Sequence, residues 1–167
     1  MTYATRELLD VLYHVAIIVE AMTAALVAGR RSMDWAGVCL LGCVTALGGG
    51  TVRDLLLDHH PLSWVAHPHY LVVAGGAALA TIAMARFVHR LRRVFLFLDA
   101  VGLVLFTVIG CDIALGLGLP VIVVVAAGLV TGCAGGVLRD VLCAEIPLLF
   151  RAELRSEERR VGKECLR

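Results

Sequence analysis

Two Arg-Asp pairs are the residues in this sequence best suited to chemistry: Arg53 with Asp54, and Arg139 with Asp140. Each follows a run of small residues, Gly48, Gly49 and Gly50 in the first case and Gly135 and Gly136 in the second. Both pairs sit in strongly apolar stretches, where an ionised side chain is costly unless it faces a protein interior or a water-filled cavity. The pairs have no companion His or Ser, and no nucleophile-base or metal-ligand constellation occurs elsewhere, so bond-making chemistry is not expected. What remains is electrostatic control of small charged solutes. An arginine repels a permeating cation, so Arg53, Asp54, Arg139 and Asp140 are assigned to gating or constriction and not to ion binding.

The elements that carry these pairs are membrane spans. Of the 167 residues, 60% are hydrophobic and only 17% charged, and the mean hydropathy is +0.89, far above an ordinary soluble domain. Five apolar segments approach the roughly 20 residues a span needs: 8–28, 35–57, 69–88, 94–116 and 120–143. The net charge of +1 and the absence of a basic stripe with interleaved aromatics argue against nucleic acid as a partner. Cys39, Cys43, Cys111, Cys133 and Cys143 lie in or at the ends of apolar runs without CxxC spacing and read as small buried residues. No metal or cofactor is expected.

The two pairs belong to an internal repeat. "GCVTALGGGTVRDLLL" (Gly42 to Leu57) aligns with "GLVTGCAGGVLRDVLC" (Gly128 to Cys143) at a constant offset of 86, which also relates Pro61 to Pro147. Leu9 and Asp10 open the first span as Leu98 and Asp99 open the fourth. Three spans per repeat make the second copy cross the membrane in the opposite sense, an inverted repeat of the kind whose discontinuous helices meet near the midplane. The expected fold is therefore all-α and polytopic, with inverted three-span repeats and glycine-broken second and fifth helices. Residues 5–90 form the first repeat. Residues 94–154 form a second, truncated after its second span. Breaks at Gly48, Gly49, Gly50, Gly135 and Gly136 would free carbonyls toward a cavity.

Arginine placement orients the chain. Arg30, Arg31, Arg86, Arg90, Arg92 and Arg93 fall in the loops after the first and third spans, and the loop near Leu115 to Pro120 carries no charge. The positive-inside rule puts the arginine-bearing loops in the cytoplasm and the N-terminus outside.

"GGGTVRD", "GGVLRD", "LDAVGLVLFTVIG" (Leu98 to Gly110) and "LRDVLCAEIPLLFR" (Leu138 to Arg151) together resemble the prokaryotic trimeric intracellular cation channel family, also catalogued as a membrane family with a glycine-transporter domain. The resemblance covers about residues 5–154. It implies a homotrimer in the bacterial inner membrane with one pore per protomer, and passage of potassium and, less selectively, sodium. It also implies seven spans, with the glycine-bearing second and fifth lining the pore and Arg53 and Arg139 as an adjoining basic pair. Ala134 stands where the first copy has Gly48. Relative to that pattern, spans six and seven are missing. "RSEERRVGKEC" (Arg155 to Cys165) resembles a translated sequencing adapter, so residues 155–167 are read as a non-native tail.

Other residues carry weaker signals. His59, His60, His67 and His69 cluster in one loop without fixed ligand spacing and read as solvated. Glu20 and Asp112 could line a cation path. Asp10 and Asp99 occupy equivalent repeat positions, which suggests a shared role such as pairing with an arginine. Monovalent cations, membrane lipid and further copies of the chain are the expected partners. A carrier of a small solute such as glycine, holding a carboxylate at a half-helix N-terminus, is the alternative to a channel.

Overall fold

The computed structural model describes residues 3–31, 33–85, 91–145 and 147. Among them the chain forms six helices and no strand: α1 Tyr3–Arg30, α2 Trp35–Leu56, α3 Ser63–Ala66, α4 His69–Ala85, α5 Leu91–Gly116 and α6 Val121–Leu142. The tail 155–167 and the loop arginines Arg86 and Arg90 lie outside the described residues.

Local chemistry sets the helix ends. The Asp34 side chain accepts from the Gly37 N–H at 2.8 Å and starts α2. Pro120 stands just before α6, at the N-cap. α2 and α6 then finish in the same way. Asp58 and Ala144 turn into left-handed backbone at φ 51° and 52°. The His59 and Glu145 N–H groups reach back to the Asp54 and Asp140 carbonyls, each at 2.8 Å. This is a Schellman closure, and its two instances are again 86 residues apart. It fixes each Arg-Asp pair in the last helical turn.

Among the described residues four helices are long and apolar enough to cross a membrane: Glu7–Arg30, Trp35–Leu56, Val94–Gly116 and Val121–Leu142. The apolar run of α4, His69–Met84, is shorter, so the third expected span is described only to Ala85. α1 packs against α2, α4 and α5, and α6 against α2 and α5. α1 is central because its buried positions are small: Ala16, Ala21, Ala24, Ala25 and Ala28 let neighbouring backbones approach. The outward faces of α5 and α6 present Phe97, Val104, Ile122 and Leu129, as lipid-facing surfaces do.

The expected helix breaks are absent. α2 runs helical through Gly48, Gly49 and Gly50, and α6 through Gly135 and Gly136. A hydrocarbon solvent offers no alternative partner for a freed N–H, so the helix persists despite the low propensity of glycine. The glycines instead make the contact between the two helices. A Cβ on Gly135 would stand 2.6 Å from the Thr45 carbonyl oxygen, one on Gly49 would run into the Thr131 carbonyl oxygen, and one on Gly48 would stand 2.6 Å from Leu138 Cδ1. Residue numbers fall along one helix as they rise along the other, so α2 and α6 cross antiparallel. Under the offset of 86, Thr45 corresponds to Thr131 and Gly49 to Gly135. The repeat therefore exchanges the two glycine contacts, the relation that a two-fold axis between the helices produces.

Candidate functional site

Two clusters of buried charge lie at opposite ends of this glycine seam. At the end of α2, Arg53 is fully buried. Its Nε and Nη2 donate to Asp54 Oδ1 at 2.9 and 2.5 Å, and Nη2 also donates to Ser63 Oγ at 2.9 Å. The other carboxylate oxygen of Asp54 accepts from the Ser63 N–H at 2.9 Å and from its hydroxyl at 2.8 Å. Ser63 opens α3, so this short helix closes the ion pair over from the side. The Tyr13 hydroxyl of α1 reaches the same place, close to the Arg53 guanidinium in front of Gly50. His59 Nδ1 is 3.5 Å from Asp54 Oδ1. Beside the pair, Tyr13, His59, His60, Ser63, His67 and Tyr70 border a cavity of about 250 Å³.

At the end of α6, Arg139 is equally buried. Its Nε donates to Asp140 Oδ1 at 2.8 Å, and its Nη1 donates to Asp99 Oδ1 of α5 at 2.5 Å and to Thr23 Oγ1 of α1 at 3.1 Å. Glu20 Oε2 is 3.9 Å away. The guanidinium lies 4.8 Å from the centre of the Phe95 ring, within cation-π range. Glu20, Asp99, Gly136, Arg139 and Asp140 border a cavity of about 280 Å³ between α1, α5 and α6. On the same face of the molecule, Arg31 pairs with Glu145 at 3.2 Å.

The structure thus joins Arg53 to Asp54 and Arg139 to Asp140, and keeps the two pairs apart. Adjacent helical residues point their Cβ atoms in different directions, which made Asp54 an unexpected partner for Arg53. The reach of arginine overrides that rule, because its flexible stem brings the guanidinium back over the neighbouring carboxylate. The expected partner on another span exists for Arg139, in Asp99 and Thr23. For Arg53 no acid of another span stands there among the described residues; Ser63 of α3 and the Tyr13 phenol of α1 take that place. Asp10, the repeat counterpart of Asp99, is exposed, and its carbonyl oxygen lies 2.7 Å from His14 Nδ1.

The candidate glycines divide by role. Gly48, Gly49 and Gly135 lie in the seam. Gly50 and Gly136 lie in front of the guanidinium groups: a Cβ at either would be 3.7 Å from Nη2 of its own arginine, and one on Gly50 would also be 3.3 Å from the Tyr13 hydroxyl. Thr23, Ser63, Tyr13 and Phe95 escaped the sequence reading because none repeats at the offset of 86. Among the described residues no three His, Cys, Asp or Glu side chains converge as metal ligands. His14, His67 and His69 pack around Tyr70 edge-on or tilted, with His14 stacked on His69.

Known proteins resemble this chain in sequence and in fold. A family model described as glycine transporter matches residues 10–86 and 96–156. The UPF0126 inner membrane protein YadS of Escherichia coli (strain K12) is 45% identical over 141 residues, covering 84% of this chain and 68% of that protein. The UPF0126 membrane protein YvgT of Bacillus subtilis (strain 168) is 33% identical over 150 residues, covering 89% and 72%. Among solved structures, the TRIC trimeric intracellular cation channel orthologue from Rhodobacter sphaeroides matches with TM-score 0.83 at 41% identity, over 86% of this chain and 74% of that one. A prokaryotic TRIC channel in 0.5 M KCl matches with TM-score 0.83 at 29% identity, over 87% and 75%. With most of its length matched by the family model, and with close relatives over more than two thirds of their own length, the chain belongs to the glycine transporter (UPF0126) family of multi-pass bacterial membrane proteins.

Proposed function

We propose that the protein is a passive monovalent cation channel of the bacterial inner membrane, carrying potassium and, less selectively, sodium through a pore within each protomer of a homotrimer. The observation that carries this reading is the likeness to solved TRIC cation channels, at TM-score 0.83 and 41% identity in the Rhodobacter sphaeroides orthologue. The two arginine clusters give it a mechanism. Each guanidinium is held by the carboxylate beside it, at opposite ends of a glycine seam that brings α2 and α6 together. In this arrangement Arg53 with Asp54, and Arg139 with Asp140, constrict the path at its two ends, and Gly50 and Gly136 keep the space before the guanidinium groups clear. Displacing either arginine from its carboxylate would widen its end. A few dipoles and charges re-paired in a low-dielectric wall suffice for such a gate.

One observation favours a second reading, the description of the matching family model as a glycine transporter; a carrier would use the same arginines to hold a carboxylate. Reconstitution into planar bilayers and liposomes separates the two. Ohmic single-channel current in KCl, with glycine uptake no faster than in empty liposomes, is the expected result. Saturable glycine uptake without unitary current would replace the channel with a carrier.

The same reading places the N-terminus and the Arg53 end outside, with Arg30, Arg31 and the Arg139 end in the cytoplasm. An impermeant thiol reagent applied to intact cells is expected to label a His60→Cys variant and to spare Arg31→Cys. The reverse pattern would invert the topology.

A further inference from the structure

The repeat relates α1 to α5 at an offset of 89, set by Leu9 and Asp10 against Leu98 and Asp99. Under it Glu20 corresponds to Ile109, and Tyr13 to Gly102. The two ends of the molecule fill these equivalent places with opposite chemistry. At the Arg139 end, position 102 has no side chain and the Glu20 carboxyl occupies the room. A Cβ there would stand 3.1 Å from Glu20 Cγ and 3.2 Å from its Oε1. At the Arg53 end the Tyr13 phenol fills the matching space, and Ile109 is buried in the apolar core.

Glu20 is 2% exposed, yet it borders the cavity of about 280 Å³ beside Arg139. Its Oε2 accepts from the Thr23 hydroxyl at 2.9 Å. Arg139 is nearer to the other acids, at 2.5 Å from Asp99 and 2.8 Å from Asp140, than to Glu20 at 3.9 Å. Three carboxylates therefore surround one guanidinium, and Glu20 is the one the guanidinium compensates least. At the Arg53 end, among the described residues, the only carboxylate within hydrogen-bonding reach of the arginine is Asp54, which Arg53 and Ser63 close over.

We infer that Glu20 is the residue that makes the conduction path prefer cations to anions, and that it acts at the Arg139 end alone. The inference rests on the channel reading above. An arginine at a constriction by itself favours anions. At the Arg139 end Asp99 and Asp140 offset that charge, and Glu20, the carboxyl that the guanidinium compensates least, adds the excess negative potential met by any ion crossing the adjoining cavity. Because Ile109 and Tyr13 leave the other end without an equivalent acid, the barrier for a cation differs at the two ends, and current depends on its polarity.

The test is the reversal potential of the reconstituted protein in a KCl gradient, compared among the parent, Glu20→Gln and Glu20→Asp. Gln keeps the size of the side chain and an acceptor for Thr23, and Asp keeps the charge. Glu20→Gln is expected to lower the potassium-over-chloride permeability ratio by about tenfold or more and to make the current-voltage relation symmetric, while Glu20→Asp retains both properties. If Glu20→Gln does not accumulate as folded protein, Gly102→Ala, which crowds the carboxylate and moves it from its place, is read by the same reversal potential. A conducting Glu20→Gln variant with the parent's reversal potential, or a folded Gly102→Ala variant with it where Gln is not recovered, overturns this inference alone. A parent that carries no cation current overturns the channel reading and the inference together.

Discussion

A Gly49→Ala/Gly135→Ala double variant should be markedly less stable than the parent, although alanine is the better helix former by roughly 1 kcal/mol per site. The sign reverses because of what each new methyl would meet. At Gly49 it is the Thr131 carbonyl oxygen, and at Gly135 the Thr45 carbonyl oxygen at 2.6 Å. Both are backbone atoms of the facing helix and have no rotamer to escape into, so α2 and α6 must move apart along their whole crossing. Overpacking of this kind costs about 1–3 kcal/mol per site, and two sites in one contact need not add. Gly76→Ala is the control, because nothing lies within 4 Å of a Cβ there. Thermal melting in detergent, followed by loss of the monodisperse elution peak, should show a clear drop for the double variant and no drop for Gly76→Ala. Equal melting of all three proteins would remove the glycine seam from the account of the fold.

The second large effect is expected at Arg139. Removing one partner of a buried ionic network costs about 3–5 kcal/mol, because the charges left behind have neither water nor a counter-ion. Arg139→Gln leaves Asp99 and Glu20 without the cation that lies between them, whereas Arg53→Gln leaves Asp54 with its two bonds from Ser63 intact. The Arg139 variant should therefore lose more stability than the Arg53 variant. Adding Asp99→Asn to Arg139→Gln should recover part of the loss. In bilayers, Arg139→Gln is also expected to raise open probability or alter voltage dependence. Matched stability of the two single variants, with gating like the parent's, would reduce Arg139 to an anchor at the membrane boundary.

Much of this architecture is legible in the sequence because the bilayer imposes simple rules. Apolar runs of fixed length mark α1, α2, α5 and α6 within a few residues, and the offset of 86 marks the two Arg-Asp pairs. What the glycines do is harder to read. In water, three consecutive glycines argue for a break, and that inference fails here because hydrocarbon leaves the backbone no partner but itself. The better signal was the spacing of small residues, Thr45 to Gly49 and Thr131 to Gly135, four apart on one helical face. Gly128 and Gly132 repeat the spacing on the face of α6 that meets Thr107 of α5. The arginine partners were only half legible. Asp99 announced itself by its place in the repeat. Ser63 and Tyr13 could not, because the two halves solve the same burial problem with different side chains, and a repeat reports only what its copies retain in common.

The reciprocity of the glycine contact has a consequence for how the halves relate. Thr45 meets Gly135 as Thr131 meets Gly49, so each half offers the other the same surface it receives. A surface that complements itself needs no covalent connection to select its partner, and two free copies of one such unit, inserted in opposite senses, would find the same contact. Two threonine carbonyls and two missing methyl groups thus carry a share of the recognition between the halves, beside the packing of α1 on α5.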